Sequence, residues 1–121
     1  MSLSSEQWAF LKDVAALILW ADARGYAITG GELQRTIEQQ NIYVKSGASR
    51  TMNSMHLKKL AIDLAVFRDG VLLEGREAIA PLGKFWESLN TKNRWGGSWR
   101  GLVESGKSKF VDTPHFERYI P

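Results

Sequence analysis

The chain has 121 residues and a mass of 13.6 kDa, enough for one compact domain and short of a comfortable two. Hydrophobic residues make up 44% and charged residues 24%, a globular composition that excludes a disordered chain. There is no cysteine, which excludes disulfides and thiolate metal sites, and the net charge of +3 suits an anionic partner without naming one.

In chain order, Ser4 and Gln7 form a capping-box pair that opens a helix over 5–24, with Gly25 as its stop. Trp8, Leu11, Val14, Ala15, Ile18 and Ala21 recur at helical spacing, and Trp8 and Trp20 are expected in the core. The apolar run 14–21 is far short of the roughly 20 residues a bilayer core requires. The start lacks a basic segment followed by a cleavage site, so synthesis in the cytoplasm without a secretory signal is expected. Residues 26–29 read as a short strand ended by Gly30-Gly31, and 32–43 as a second helix. A loop at 45–49 follows. Residues 61–67 read as a strand, Arg68-Asp69-Gly70 as its turn and 71–73 as the returning strand, since Asp-Gly is a strong hairpin signal. A third helix spans 79–89 with Pro81 in its first turn. From Asn90 onward no period is evident. There is no repeat or linker, and the reading is one α+β domain over 1–121.

Only two histidines exist, His56 and His115. Together with Asp63 they would supply three nitrogen and oxygen ligands, leaving a fourth zinc position open. His56 and Asp63 are seven residues apart, about 10.5 Å along a helix and about 23 Å when extended, against a ligand reach of about 2 Å. A shared ion therefore requires Leu57-Lys58-Lys59 to turn the chain back. Asp112 lies three residues before His115, and a bend at Pro114 would let it face the attacking water as general base.

Ser54-x-His56-x6-Asp63 followed by Asp112-x-x-His115-Phe116-Glu117 resembles the zinc peptidases that cut peptidoglycan peptides. These are the D-alanyl-D-alanine carboxypeptidases and the L-alanyl-D-glutamate endopeptidases of phage endolysins, whose pattern is S-x-H-x-x-G-x-A-x-D and then a carboxylate three before a second His. The segment from Glu32 through Arg35 to Gln40 and Tyr43 resembles the family's arginine-bearing stretch, and Trp95-Gly96-Gly97-x-Trp99 its W-G-G-x-W element. The likeness covers about residues 26 to 118. One departure is read at Leu60, taken to stand where the family carries its turn glycine, and Gln34 replaces an aromatic.

The resemblance implies a small antiparallel sheet with flanking helices, a Hedgehog/D,D-peptidase-like fold. It implies zinc held by His56, Asp63 and His115, with Asp112 as general base. Arg35 would steady the substrate carbonyl or carboxylate, Ser54 would contact substrate or cap a turn, and Trp95 and Trp99 would line the cleft or pack as core aromatics. Asp rather than Glu at 112 favours the endopeptidase branch, cutting L-Ala–D-Glu in the stem peptide, over a D-Ala-directed enzyme. A monomeric phage endolysin is expected, with no separate wall-binding domain, no stable membrane insertion and a holin-type pore as its route to the wall. Arg94-Trp95, Trp99-Arg100 and Lys107-x-Lys109 also suit a nucleic-acid-binding module, and a structural virion component is a further rival. The first leaves both histidines unexplained, the second leaves Asp112 unexplained, and no nucleic-acid partner is expected.

Overall fold

The computed structural model describes residues 2–49, 51 and 54–121. The apolar spacing near the start makes helix α1 (Leu3–Ala23), capped by Ser2 rather than Ser4, with the Ser2 hydroxyl accepting from the Ser5 N–H at 3.1 Å. Its buried stripe is Glu6, Phe10, Val14, Leu17 and Ala21. Trp8, expected in the core, is 68% exposed, and Leu11 and Ile18 also face outward. Steps of three and four residues define two neighbouring stripes on this helix, and packing selects the one carrying Phe10 and Leu17. Trp20 does pack, stacked on Phe85 at 4.7 Å.

Strand β1 (Ala27–Gly30) leads into residues that stay extended where a helix is expected from 32. The backbone explains this: Gly31 N–H donates to the Asp63 carbonyl at 2.7 Å, and Asp63 N–H to the Glu32 carbonyl at 3.0 Å. Helix α2 therefore begins later (Ile37–Ser46), with Thr36 as its cap. A 3₁₀ turn (Met55–Lys58) precedes β2 (Ala61–Arg68), and Asp69 and Gly70, both at positive φ, make the expected hairpin turn to β3 (Val71–Leu72). Helix α3 (Arg76–Leu89) starts three residues before the expected point, so Pro81 lies beyond its first turn, on an exposed position. Two short strands, β4 (Asn93–Trp95) and β5 (His115–Arg118), come from the stretch without evident period.

The sheet runs β1-β2-β5-β4 with β3 also on β2, antiparallel at every pairing. Helices α1 and α3 cover one face, where Trp86 meets Phe10 and Phe116 edge-on at 5.6 and 6.1 Å. Along β5 the side chains alternate: Phe116 joins this core and Arg118 reaches Glu6 of α1, while His115 and Glu117 point to the opposite face. The register sets Asp63 of β2 directly across from His115 of β5. This is the α+β arrangement of a small antiparallel sheet and flanking helices.

Candidate active site

The turn before β2 positions the first histidine. Ser54 caps it, its hydroxyl accepting from the His56 N–H at 3.2 Å. Lys59 closes it in the left-handed region (φ 58, ψ 38). Counted from His56, Lys59 is also where the pattern's glycine falls, which corrects the placement at Leu60; Leu60 is fully buried in the core. The chain thus reverses through residues 57–59 and lays His56 beside Asp63, with Nε2 3.2 Å from Oδ1. His56 Nδ1 lies 2.8 Å from the Leu33 carbonyl, an acceptor, so Nδ1 carries the proton and Nε2 is left as the donor atom.

The second histidine is fixed in the same way from the other side. His115 Nε2 donates to Glu117 Oε1 at 2.7 Å, and Glu117 in turn accepts from Arg94 Nε at 2.9 Å. Nδ1 of His115 is then free, 3.7 Å from Asp63 Oδ1 and 3.9 Å from Asp112 Oδ2. The ligand atoms of His56, Asp63 and His115 all lie within 4.8 Å of one another, a donor set of two imidazole nitrogens and one carboxylate oxygen that fits a divalent cation such as zinc. Glu117 had no role assigned from sequence, although His-x-Glu in a strand places both side chains on one face.

Asp112 is held by backbone. Its N–H donates to the Gly96 carbonyl at 2.8 Å, Gly96 N–H donates to the His115 carbonyl at 2.8 Å, and His115 N–H to the Asp112 carbonyl at 3.1 Å. A Cβ on Gly96 would stand 2.0 Å from the Asp112 carbonyl oxygen, so this approach requires glycine. Trp95 supports the same turn through Nε1, which donates to the Thr113 carbonyl at 2.8 Å. Its ring is 2% exposed and sits in the helix-facing core, so the expected cleft-lining role does not apply to Trp95. Trp99 is half-buried on the site side, its ring 5.2 Å from that of His115 and its Nε1 donating to the Phe110 carbonyl at 2.9 Å.

Arg35 reaches the site from the extended stretch before α2. Its guanidinium pairs with Glu32, donates to Gln40 Oε1 at 2.6 Å and to the Ser54 hydroxyl at 3.4 Å, and lies over the Tyr43 ring. One nitrogen stands 4.0 Å from Asp63 Oδ2. Ser54 is buried and thus serves as the turn cap and as a partner of Arg35. Arg35, Ser54, Trp99, Asp112 and His115 share one cleft of about 480 Å³.

Opposing effects tune the ionisable groups. Burial raises the Asp63 carboxyl, but the interactions with His115 and His56 outweigh it and hold the group below the usual carboxylate range. Burial would lower the His115 imidazole, yet Asp63 and Glu117 bring it up to about 9. Asp112 is pushed up, by burial first, with the charge of His115 opposing.

Three comparisons with known proteins bear on this geometry. A family model described as phage L-alanyl-D-glutamate peptidase matches residues 8–119. The L-alanyl-D-glutamate peptidase of Listeria phage A118 is 33% identical over 102 residues, covering 84% of this chain. The chain spans about a third of that relative's length (34%). The crystal structure of the Serratia marcescens L-Ala D-Glu endopeptidase ChiX superposes with a TM-score of 0.68 at 21% identity, covering 91% of this chain and 77% of that one, a likeness of fold.

Proposed function

This chain belongs to the phage L-alanyl-D-glutamate peptidase family, and from that premise we propose that it is a zinc-dependent peptidoglycan endopeptidase cutting the L-Ala–D-Glu bond of stem peptides. The observation that carries this reading is the convergence of the His56, Asp63 and His115 donor atoms within 4.8 Å of one another, with the Asp112 carboxylate beside His115 in the cleft. His56, Asp63 and His115 would hold the ion. When bound, zinc polarises the scissile carbonyl and lowers the pKa of water to about 7.

The remaining steps belong to the chain's own residues. Asp112 takes the proton of the attacking water and returns it to the leaving amine. Burial makes its carboxylate a stronger base than an exposed aspartate. Arg35 faces the carbonyl oxygen as negative charge develops there. Its guanidinium is already ordered by Glu32, Gln40 and Tyr43, so little reorganisation is needed at the moment of reaction. Trp99 shields the His115 side of the cleft from bulk water. The chain acts as a single catalytic domain and as a monomer in host lysis, with a holin-type pore giving access to the wall. No described helix is long and apolar enough to cross a membrane.

Digestion of purified Gram-negative sacculi with the zinc-loaded protein tests the reading. Glycan ending in L-Ala and peptides led by D-Glu, both lost under a zinc chelator, are the expected products. Release of D-Ala or opening of cross-links would overturn the bond assignment.

A further inference from the structure

Two hollows flank the metal-ligand group, and they differ in charge. His115 and Asp112 line the first, the cleft of about 480 Å³ already described. Asp63 lines the second, also about 480 Å³, between Gly30-Gly31, Leu72 to Gly75 and Thr113-Pro114. The first hollow has four cationic side chains in its wall, Arg35, Arg94, Lys107 and Lys109, against two carboxylates, Asp112 and Glu117. The second has no cation, and Asp63 and Glu74 are its charged residues, both acidic, in a wall otherwise made of apolar residues, glycines and Thr29 and Thr113.

The four cations are not equivalent. Arg35 is engaged by Glu32 and Arg94 by Glu117. Among the described residues Lys107 and Lys109 form no ion pair, so their charge is the part of this wall still available to a ligand. Opposite sides of the proposed scissile bond differ in the matching sense. A γ-linked D-Glu keeps a free α-carboxylate, so the leaving side of the peptide is anionic. L-Ala and the muramoyl group before it are neutral.

We propose that substrate lies across the site in one direction, with the D-Glu α-carboxylate drawn to Lys107 and Lys109 and the L-Ala side in the hollow beside Gly30-Gly31. Lys107 and Lys109 then act as specificity determinants that favour a free carboxylate over its amide. The inference rests on the endopeptidase reading and adds its polarity. The lysines are exposed, so the attraction works through the local field and weakens with salt.

The test uses two peptides, N-acetylmuramoyl-L-Ala-γ-D-Glu-L-Lys and the counterpart whose D-Glu α-carboxylate is amidated. The zinc-loaded protein should cleave the free acid with a kcat/KM about three- to tenfold higher, the scale of two partly exposed charge pairs, with the difference in KM. In the Lys107→Gln/Lys109→Gln double variant the two peptides should be cleaved within about twofold of each other. Raising salt should erase the wild-type preference in the same way. Equal cleavage of both peptides by the wild type, or a preference that survives in the double variant, would overturn the orientation while leaving the endopeptidase reading intact. Cleavage of neither peptide by the wild type would overturn both.

Discussion

Strand β5 contributes buried residues to two charge clusters, one on each of its faces, and they are built to different ends. On the helix side Arg118 donates through Nε to Glu6 Oε2 at 2.9 Å, and Lys92 donates to both Glu6 oxygens at 3.0 Å. On the cleft side His115 meets Asp63, Asp112 and Glu117. The Glu6 carboxylate is fully engaged by cations of its own chain and ties α1 to β5. In the second cluster, each partner that orients a histidine uses one ring nitrogen and leaves the other aimed at a common point. A carboxylate whose two oxygens are both taken by cations of its own chain holds the fold, whereas a cluster that leaves imidazole nitrogens and a carboxylate converging can take a ligand.

The sharpest break in this comparison falls on the cleft side. His115→Ala should lose zinc and activity together. Asp112→Ala should keep zinc, measured by metal content after dialysis, and lose about 10²–10⁴-fold in kcat, the range of general-base catalysis. Near-normal turnover by Asp112→Ala would remove Asp112 from the mechanism.

The helix-side cluster should respond in stability instead. Glu6→Ala leaves Arg118 buried without its partner and should cost roughly 3 kcal/mol of unfolding free energy, read by denaturant titration. Glu6 has its pKa lowered from 4.5 to about 2, first by the Arg118 hydrogen bond and then by that of Lys92, against the opposing effect of burial. A depressed folded-state value means this contribution is complete above about pH 4.5 and is lost as pH falls towards 2. Thermal unfolding between pH 7 and 2 should therefore show a shallower acid loss in Glu6→Gln than in wild type. Zinc content at pH 7 should be unchanged in the folded variant.

A smaller effect lies between the clusters, at Glu117. It shares a strand with Arg118 but orients His115. Glu117→Ala should weaken zinc affinity by about 10- to 100-fold, the usual consequence of losing the partner of a ligand histidine. Competition with a chromogenic chelator reads this directly. An unchanged affinity would mean that the β2–β5 register alone orients the ring.

These contrasts also explain what the sequence discloses. The reversal between His56 and Asp63 is legible by counting, since neither helix nor extended chain brings seven-residue neighbours to one ion, whereas their pairing as ligands is legible only through the family resemblance. The Asp-Gly hairpin is equally local. Strands β4 and β5 escape because they are three and four residues long; β4 buries the polar Asn93 beside Trp95 on one face, and β5 buries residues on both, so neither polar alternation nor an apolar run marks them. His115 to Arg118 has every residue buried, three of them polar or charged, because each has a partner distant in sequence. Glu32 to Arg35 reads as helix from composition and is held extended by β2 and His56, a tertiary override of propensity. Glu117 escapes for a related reason: an acidic residue is exposed by default until His115 and Arg94 are seen around it.

The smallest predicted effect concerns the turn that presents His56. Lys59 holds a left-handed conformation that costs a side-chain-bearing residue about 1–2 kcal/mol. Glycine removes that strain but loses about 0.4–1 kcal/mol to the greater freedom of the unfolded chain. Lys59→Gly should therefore stabilise the protein by about 0.5–1 kcal/mol, a rise in Tm of about 2–5 °C for a domain of this size. The neighbouring Leu60 is fully buried, and Leu60→Ala should cost about 2–5 kcal/mol by emptying part of the core. Differential scanning calorimetry of the two variants separates the positions by the sign of the shift. A destabilised Lys59→Gly would mean that the Lys59 side chain contributes more to the turn than its backbone strain removes, and that His56 is presented by side-chain contacts as well as by the chain reversal.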